Sequence, residues 1–234
     1  MMAQAEMTPA KITTCVFDAY GTLFDVAGAA RTAAEAPGQD RLAALWPALS
    51  ADWRRKQLEY SWLRAITGDH CSFWQVTQDG LDWAMARHGL EDPELRETLL
   101  GLYWQLPAYP EVPQLLASLK ARGLGCAILS NGSPDMLDGA VSSAGIAEHL
   151  DAVLSVEEVG IFKPARPVYD LVGTHFGTEP AQVLFVSSNG WDAAGAAAYG
   201  FVTAWVNRAG EPMDCLPGRP HHVLPDLTTI PELL

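Results

Sequence analysis

The stretch ITTCVFDAYGTLFD (residues 12–25) decides the fold. Its first half, Ile12–Asp18, is a short apolar, β-branched run that stops at a turn signal, Tyr20-Gly21-Thr22. A run of this kind predicts a strand buried on both faces. Similar runs follow at Leu124–Ser130, Ala152–Val156, Val183–Ser188 and Val202–Val206. Helical patterns lie between them. Val112–Arg122 stops at Gly123, and Ser133-Pro134 opens a helix to about Ala144 as an N-cap residue followed by proline. Val168–Phe176 stops at Gly177, and Trp191–Tyr199 stops at Gly200. Strands alternating with helices predict an α/β fold, a Rossmann-like parallel sheet with helices on both faces.

The segment 26–106 interrupts that alternation after the first strand. It contains no convincing strand. Amphipathic helical stretches cover Leu42–Ala65, Phe73–His88 and Pro93–Leu106, and six of the eight tryptophans fall here. Large aromatics at helical spacing fill the core of a helical unit too small for a deep aliphatic one. The sequence therefore predicts an α/β core domain of residues 11–25 and 107–234, with a helical cap subdomain of residues 26–106 inserted into it.

The chain has 234 residues, enough to bury about 70–75% of its unfolded surface. Hydrophobic residues make up 49% and charged residues 18%, which excludes a disordered chain. A formal charge of −13 leaves no electrostatic footprint for nucleic acid or an anionic membrane face. Cys15, Cys71, Cys126 and Cys215 show neither zinc-site spacing nor a disulfide framework, and Cys15 and Cys126 read as buried thiols. The opening MMAQAEMTPA has no signal-peptide pattern, and no apolar run reaches the ~18–20 residues of a membrane span. A cytoplasmic protein without membrane contact is expected.

In a parallel α/β sheet, ligands bind at the carboxyl ends of the strands. The first run ends in Asp18, followed by Ala19, Tyr20, Gly21 and Thr22. The second ends in Ser130-Asn131-Gly132, Lys163-Pro164 follows the third, and the fourth ends in Ser187-Ser188-Asn189-Gly190-Trp191-Asp192. Each group alone is ordinary turn chemistry. Their repetition at four successive strand ends would bring two carboxylates, one ammonium and several hydroxyls and amides into one crevice.

These motifs resemble the haloacid dehalogenase-like superfamily, with its nucleophilic Asp in D-x-x-x-T, a Ser or Thr after the second strand, a Lys, and a late acidic loop. Most members are magnesium phosphatases with D-x-D-G-T. Here Tyr20 stands where their second Asp would act as the acid, and the late loop offers one carboxylate, Asp192. That departure argues against a site for Mg²⁺, which prefers several oxygen ligands. DAYGTLFDV, WRRKQLEY (Trp53–Tyr60), LSNGS (Leu129–Ser133) and SSNGWD together look like the type II (S)-2-haloacid dehalogenases. The match spans nearly the whole chain. Its departures are about ten extra N-terminal residues, Arg55 after Arg54, and Gly190 before Trp191.

The resemblance implies a mechanism without metal or cofactor. Asp18 would attack C2 of a 2-haloacid and form an aspartyl ester, which water then hydrolyses to the (R)-2-hydroxy acid. Lys163 would favour the ionised Asp18, and Thr22 would hold it. Arg54 and Asn131 would take the halide, with Phe73 and Trp191 as apolar walls. The substrate carboxylate would sit on Ser130 and on backbone N–H groups around Ala19, Tyr20 and Asn131. Asp192 would be the base, with Ser187, Asn189 and Lys163 orienting water. On residue chemistry alone, Asp192 could instead be a helix N-cap, Arg54 a solvated charge in the run Arg54-Arg55-Lys56, and Tyr169 either a pocket or a core residue. A homodimer is implied. The competing readings are a metal-dependent phosphatase of the same superfamily, an idle binding domain, and a haloacetate or fluoroacetate preference.

Overall fold

The computed structural model describes residues 10–26 and 40–234, with the backbone alone for residues 40 and 41. Residues 1–9 of the N-terminal extension and 27–39 of the expected cap lie outside the described residues. Six parallel strands form one sheet in the order β3-β2-β1-β4-β5-β6. They are β1 (Thr14–Phe17), β2 (Gly125–Ser130), β3 (Ala152–Ser155), β4 (Val183–Ser187), β5 (Val202–Val206) and β6 (His222–Leu224). The α/β class read from the sequence is the one observed. The sixth strand was not expected: His222–Leu224 is short and half-exposed at the sheet edge, so it lacks the apolar run that marks the others.

The sheet is buried because helices cover it. All four residues of β1 and all five of β4 are buried, as the continuous apolar runs require for central parallel strands. Registry pairs Thr14 with Gly125 on one side and with Val183 on the other. The chain order reverses direction between β1 and β4, and the crevice at their carboxyl ends is where such folds place ligands. Asp18 follows β1 and the Ser188-Asn189 turn follows β4, so both open onto that crevice.

The described residues contain seven α-helices: α1 (Asp40–Thr67), α2 (Phe73–Arg87), α3 (Pro93–Gly101), α4 (Val112–Ala121), α5 (Pro134–Ala144), α6 (Arg166–Phe176) and α7 (Gly190–Tyr199). The expected helix Pro93–Leu106 is divided: α3 ends at Gly101 and a 3₁₀ turn carries Leu102–Trp104. Gly123 (φ 75°) supplies the left-handed turn after α4 that its position predicted. Ser133 occupies the N-cap position of α5, but its side chain makes no capping bond there. Its hydroxyl instead bonds Glu157 and accepts the Trp74 N–H at 3.1 Å.

Helices α1 and α2 pack through a polar seam inside an apolar frame. The Trp53 indole N–H donates to the Thr77 carbonyl at 2.8 Å, and the Gln57 amide donates to the Thr77 hydroxyl at 2.9 Å. Gln57, Ser61 and Thr77 are fully buried, and each is hydrogen-bonded, as buried polar groups must be. The chain leaves and re-enters the sheet side by side: Asp25 N–H bonds Pro107 O, and Tyr109 N–H bonds Leu23 O, both at 2.9 Å. No helix among the described residues is long and apolar enough to cross a membrane.

Candidate active site

Gly21 (φ 83°) turns the chain immediately after β1. That left-handed conformation suits glycine, and a Cβ there would meet the Ser188 hydroxyl at 3.1 Å. The turn returns Thr22 onto Asp18, and the Thr22 hydroxyl donates to Asp18 Oδ2 at 3.0 Å. The same oxygen of Thr22 accepts the Ser188 N–H at 2.8 Å, tying the first strand loop to the fourth. The Ala19 carbonyl accepts from the N–H groups of Thr22, Leu23 and Phe24, which fixes the loop.

Asp18 is 7% exposed. Its Oδ2 also accepts from the Asn189 amide at 3.0 Å, while Oδ1 takes the Lys163 ammonium at 3.2 Å. Lys163 is buried and bridges to Asp192 Oδ2 at 2.9 Å. The other Asp192 oxygen accepts the Tyr169 hydroxyl at 2.8 Å. Burial works against the charge on Lys163, but Asp192 and Asp18 outweigh it and raise its pKa above the ordinary lysine value. Burial raises the pKa of Asp192, opposed by Lys163 and by the Tyr169 hydrogen bond. The tyrosine is neutral, its hydroxyl pushed well up by burial and by the Asp192 carboxylate.

The contacts of three residues bear on the alternatives left open by residue chemistry. Asn189 holds the N-cap position of α7, and Asp192 turns inward to Lys163 rather than capping. Tyr169 is both core and site: its ring packs on Phe185 and Phe201 while its hydroxyl reaches Asp192. Arg54 is half-buried and tied down rather than a free surface charge. It lies on α1 and donates through Nη2 to Asn189 Oδ1 at 2.8 Å. Arg55, one residue on, turns outward to Asp52 and Glu59 and stacks on Trp83.

The remaining expected residues surround this cluster in different ways. Asn131 Oδ1 accepts the Lys163 N–H at 2.9 Å, the Ser130 hydroxyl accepts the Gly132 N–H at 3.0 Å, and the Ser187 hydroxyl accepts the Asn189 N–H at 3.1 Å. Phe73 stacks on Tyr20 with ring centroids 6.1 Å apart, and Trp191 meets Trp62 edge-on at 5.5 Å. A cavity of about 390 Å³ lies beside the cluster, lined by Tyr20, Arg54, Ser188 and Asn189 and by apolar residues of the helical segment. Neither Phe73 nor Trp191 is part of its lining.

The sequence reading passed over three residues. Ser188 stood inside a quoted motif, yet its role needs the Thr22 contact to be seen. Glu157, in the loop after β3, accepts the Phe73 N–H at 3.2 Å at the start of α2. Arg208, after β5, pairs with Glu111 at 2.7 Å and stacks on Tyr109 at 3.7 Å. Neither Glu157 nor Arg208 carries a motif that sequence spacing could have flagged. No group of three or more His, Cys, Asp or Glu among the described residues is arranged to hold a metal ion.

A doubly wound sheet with a hydrogen-bonded carboxylate after its first strand, a buried lysine and a second buried carboxylate defines an α/β enzyme built around a strand-end aspartate. A model of the haloacid dehalogenase-like hydrolases matches residues 12–200, and the chain belongs to that family. It is 42% identical over 224 residues to (S)-2-haloacid dehalogenase 1 of Pseudomonas sp. (strain CBS-3), covering 95% of this chain and 96% of that protein. It is 45% identical over 202 residues to the (S)-2-haloacid dehalogenase of Xanthobacter autotrophicus, covering 86% and 77%. The structure of the L-2-haloacid dehalogenase from X. autotrophicus with chloropropionic acid covalently bound is similar with a TM-score of 0.85 at 38% identity, covering 95% of this chain and 98% of that one.

Proposed function

We propose that the chain hydrolyses short-chain (S)-2-haloalkanoic acids to (R)-2-hydroxyalkanoic acids and halide. The observation that carries this reading is the Asp18 carboxylate itself. It is buried, ionically paired with Lys163, and held at Oδ2 by Thr22 and Asn189. Oδ1 carries one of these bonds and Oδ2 carries two, so Oδ1 is the freer to attack. It displaces halide from the rear of C2, and an aspartyl ester remains. Arg54, one hydrogen bond beyond Asn189, supplies the fixed positive charge that the leaving halide needs. Water then adds to the ester carbonyl of Asp18. Asp192, the second carboxylate on Lys163, takes the water proton, and burial raises its proton affinity against the opposing pull of Lys163 and the Tyr169 hydrogen bond. The hydroxy acid departs with one oxygen of the original Asp18 carboxylate, and the net reaction consumes one water and yields halide and a proton.

The helical segment 26–106 acts as a cap that brings Arg54 to the core and excludes water. No metal is required, since the Lys163 ammonium supplies the positive charge between Asp18 and Asp192. Halide release from (S)-2-chloropropanoate should therefore persist in EDTA, where a magnesium phosphatase would fail. The assembly in this reading is a homodimer, which sedimentation measures directly.

A single turnover in ¹⁸O-labelled water, with enzyme in excess, tests the ester route. Label in the Asp18 peptide and none in the first-turnover product supports it. Label only in the product would replace it with direct attack by water. Chiral analysis of the product checks inversion.

A further inference from the structure

An α-helix leaves its first N–H groups without partners inside itself. At the start of α2 those donors are satisfied in two ways. The Gln75 N–H bonds the Ser72 hydroxyl at 3.2 Å, an ordinary local cap. The Phe73 and Trp74 N–H groups are taken instead by side chains of the sheet loops. Phe73 donates to Glu157 Oε1 at 3.2 Å and Trp74 to the Ser133 hydroxyl at 3.1 Å, across 84 and 59 positions of sequence. The Ser133 hydroxyl in turn donates to the same Glu157 oxygen. A carboxylate at this end of a helix is also favoured by the helix dipole.

The two capping loops are the ones that build the site. Ser133 closes the turn after β2 that carries Ser130 and Asn131, and Asn131 accepts the Lys163 N–H at 2.9 Å. Glu157 follows β3. Ser155, buried at the end of that strand, donates to the Gly132 carbonyl at 2.7 Å and accepts the Glu157 N–H at 3.2 Å, which ties the two loops together. The residue they hold is Phe73. Its ring centroid lies 6.1 Å from that of Tyr20, in the loop after Asp18, and 6.3 Å from that of Phe162, which precedes Lys163. The Arg54–Asn189 bond joins the same helical segment to the sheet among the reacting groups. The Glu157 and Ser133 contacts do not involve those groups, so a substrate need not displace them.

We propose that Glu157 is a positioning residue: with Ser133 it pins the first turn of α2 to the sheet loops and so fixes the Phe73 ring against the Asp18 loop. The effect on turnover rests on the dehalogenase reading; the pinning does not. Loosening the turn lowers the fraction of molecules in which the helical segment is closed over Asp18. Apparent substrate affinity falls with that fraction, while the chemical step is untouched.

Amide hydrogen exchange and steady-state kinetics on Glu157→Ala and Glu157→Gln test this. In Glu157→Ala the Phe73 and Trp74 amides should exchange about fivefold faster, the ~1 kcal/mol of a lost helix cap, while Val76 and Thr77 deeper in α2 keep their wild-type rates. KM for (S)-2-chloropropanoate should rise about three- to fivefold, with kcat within about twofold of wild type. Glu157→Gln keeps an acceptor oxygen and should return both readouts to within about twofold of wild type. Ser133→Ala removes the second acceptor, should act in the same direction, and carries the test if Glu157→Ala does not fold. Unchanged exchange at Phe73 and Trp74, faster exchange with an unchanged KM, a fall in kcat alone, or no recovery in Glu157→Gln overturns the assignment and leaves the dehalogenase reading standing. Absence of halide release from the wild type overturns that reading, and the exchange rates then decide the pinning by themselves.

Discussion

Arg54 and Asn189 are joined by a 2.8 Å hydrogen bond across 135 residues of sequence, from α1 of the helical segment to the loop after β4. The Asn189 amide then reaches Asp18, so one side chain couples the guanidinium on α1 to the carboxylate after β1. Both ends of an amide are used: the oxygen accepts from Arg54 and the nitrogen donates to Asp18. An aspartate at 189 could not do both, since an ionised carboxylate only accepts.

Arg54→Ala should reduce kcat/KM for (S)-2-chloropropanoate by roughly 10²–10³, the range for losing one donor to a developing negative charge. Arg54→Lys should recover little of it, because a lysine lacks the planar fork. Steady-state halide release with circular dichroism as a folding control decides. Near-wild-type activity in Arg54→Ala would remove the arginine from the chemistry.

Lys163 sits between two buried carboxylates. Lys163→Met leaves both without a cation and should destabilise the chain by about 3–5 kcal/mol, as expected when one partner of a buried ion pair is removed. Asp192→Asn should cost less stability, since Lys163 keeps Asp18. Urea unfolding at pH 7.5 compares the two variants, and the reverse order would contradict the arrangement.

Stability should fall as the pH rises above about 9. Burial raises the Cys15 thiol from 9.0 to about 12, and it raises the Cys126 thiol from 9.0 to about 11. Both therefore stay protonated in the fold while the unfolded chain ionises them. Their contribution is fully present below the unfolded value and is lost as pH climbs toward the folded one. Lys163, raised above 10.5, adds a loss of the same sign at still higher pH. Urea midpoints at pH 7.5, 9 and 10.5 under reductant measure the slope. Cys15→Ala should flatten it.

Gly195 in α7 lies against the site's back wall. A Cβ there would meet Pro164 Cβ at 2.7 Å and the Tyr169 hydroxyl at 2.8 Å. Gly195→Ala should therefore push Tyr169 off Asp192 and cost about 1–3 kcal/mol as overpacking. Its activity loss should match that of Tyr169→Phe, which removes the same hydrogen bond without the clash. A fully active, fully stable Gly195→Ala would show that the back wall yields.

The candidate site was legible to the extent that its residues end strands. Asp18, Ser130, Ser187 and Asp192 could be placed because the apolar runs stop beside them and parallel sheets gather such ends. Lys163 could be placed by order along the chain. What each side chain does there was not legible. Nothing local distinguishes Asp192 as an N-cap from Asp192 as a partner of Lys163, and nothing in the run Arg54-Arg55-Lys56 says which arginine turns inward. Glu157 and Arg208 were invisible because no local pattern marks contacts that reach 84 positions to Phe73 and 97 positions to Glu111.

The sequence by itself determined the parallel α/β class, the interruption after β1 and the set of chemical groups at the strand ends. Periodicity and turn chemistry are local, and local patterns suffice for those conclusions. The tertiary structure decided which atoms meet. It split the α3 region at Gly101, turned the Ser133 hydroxyl from its own helix to Glu157 and α2, divided the bonds of Asp18 between its two oxygens, and left an apolar cavity beside Arg54. Those outcomes depend on how α1 and α2 settle over the sheet, and packing between distant segments is set by side-chain shape and burial rather than by spacing along the chain.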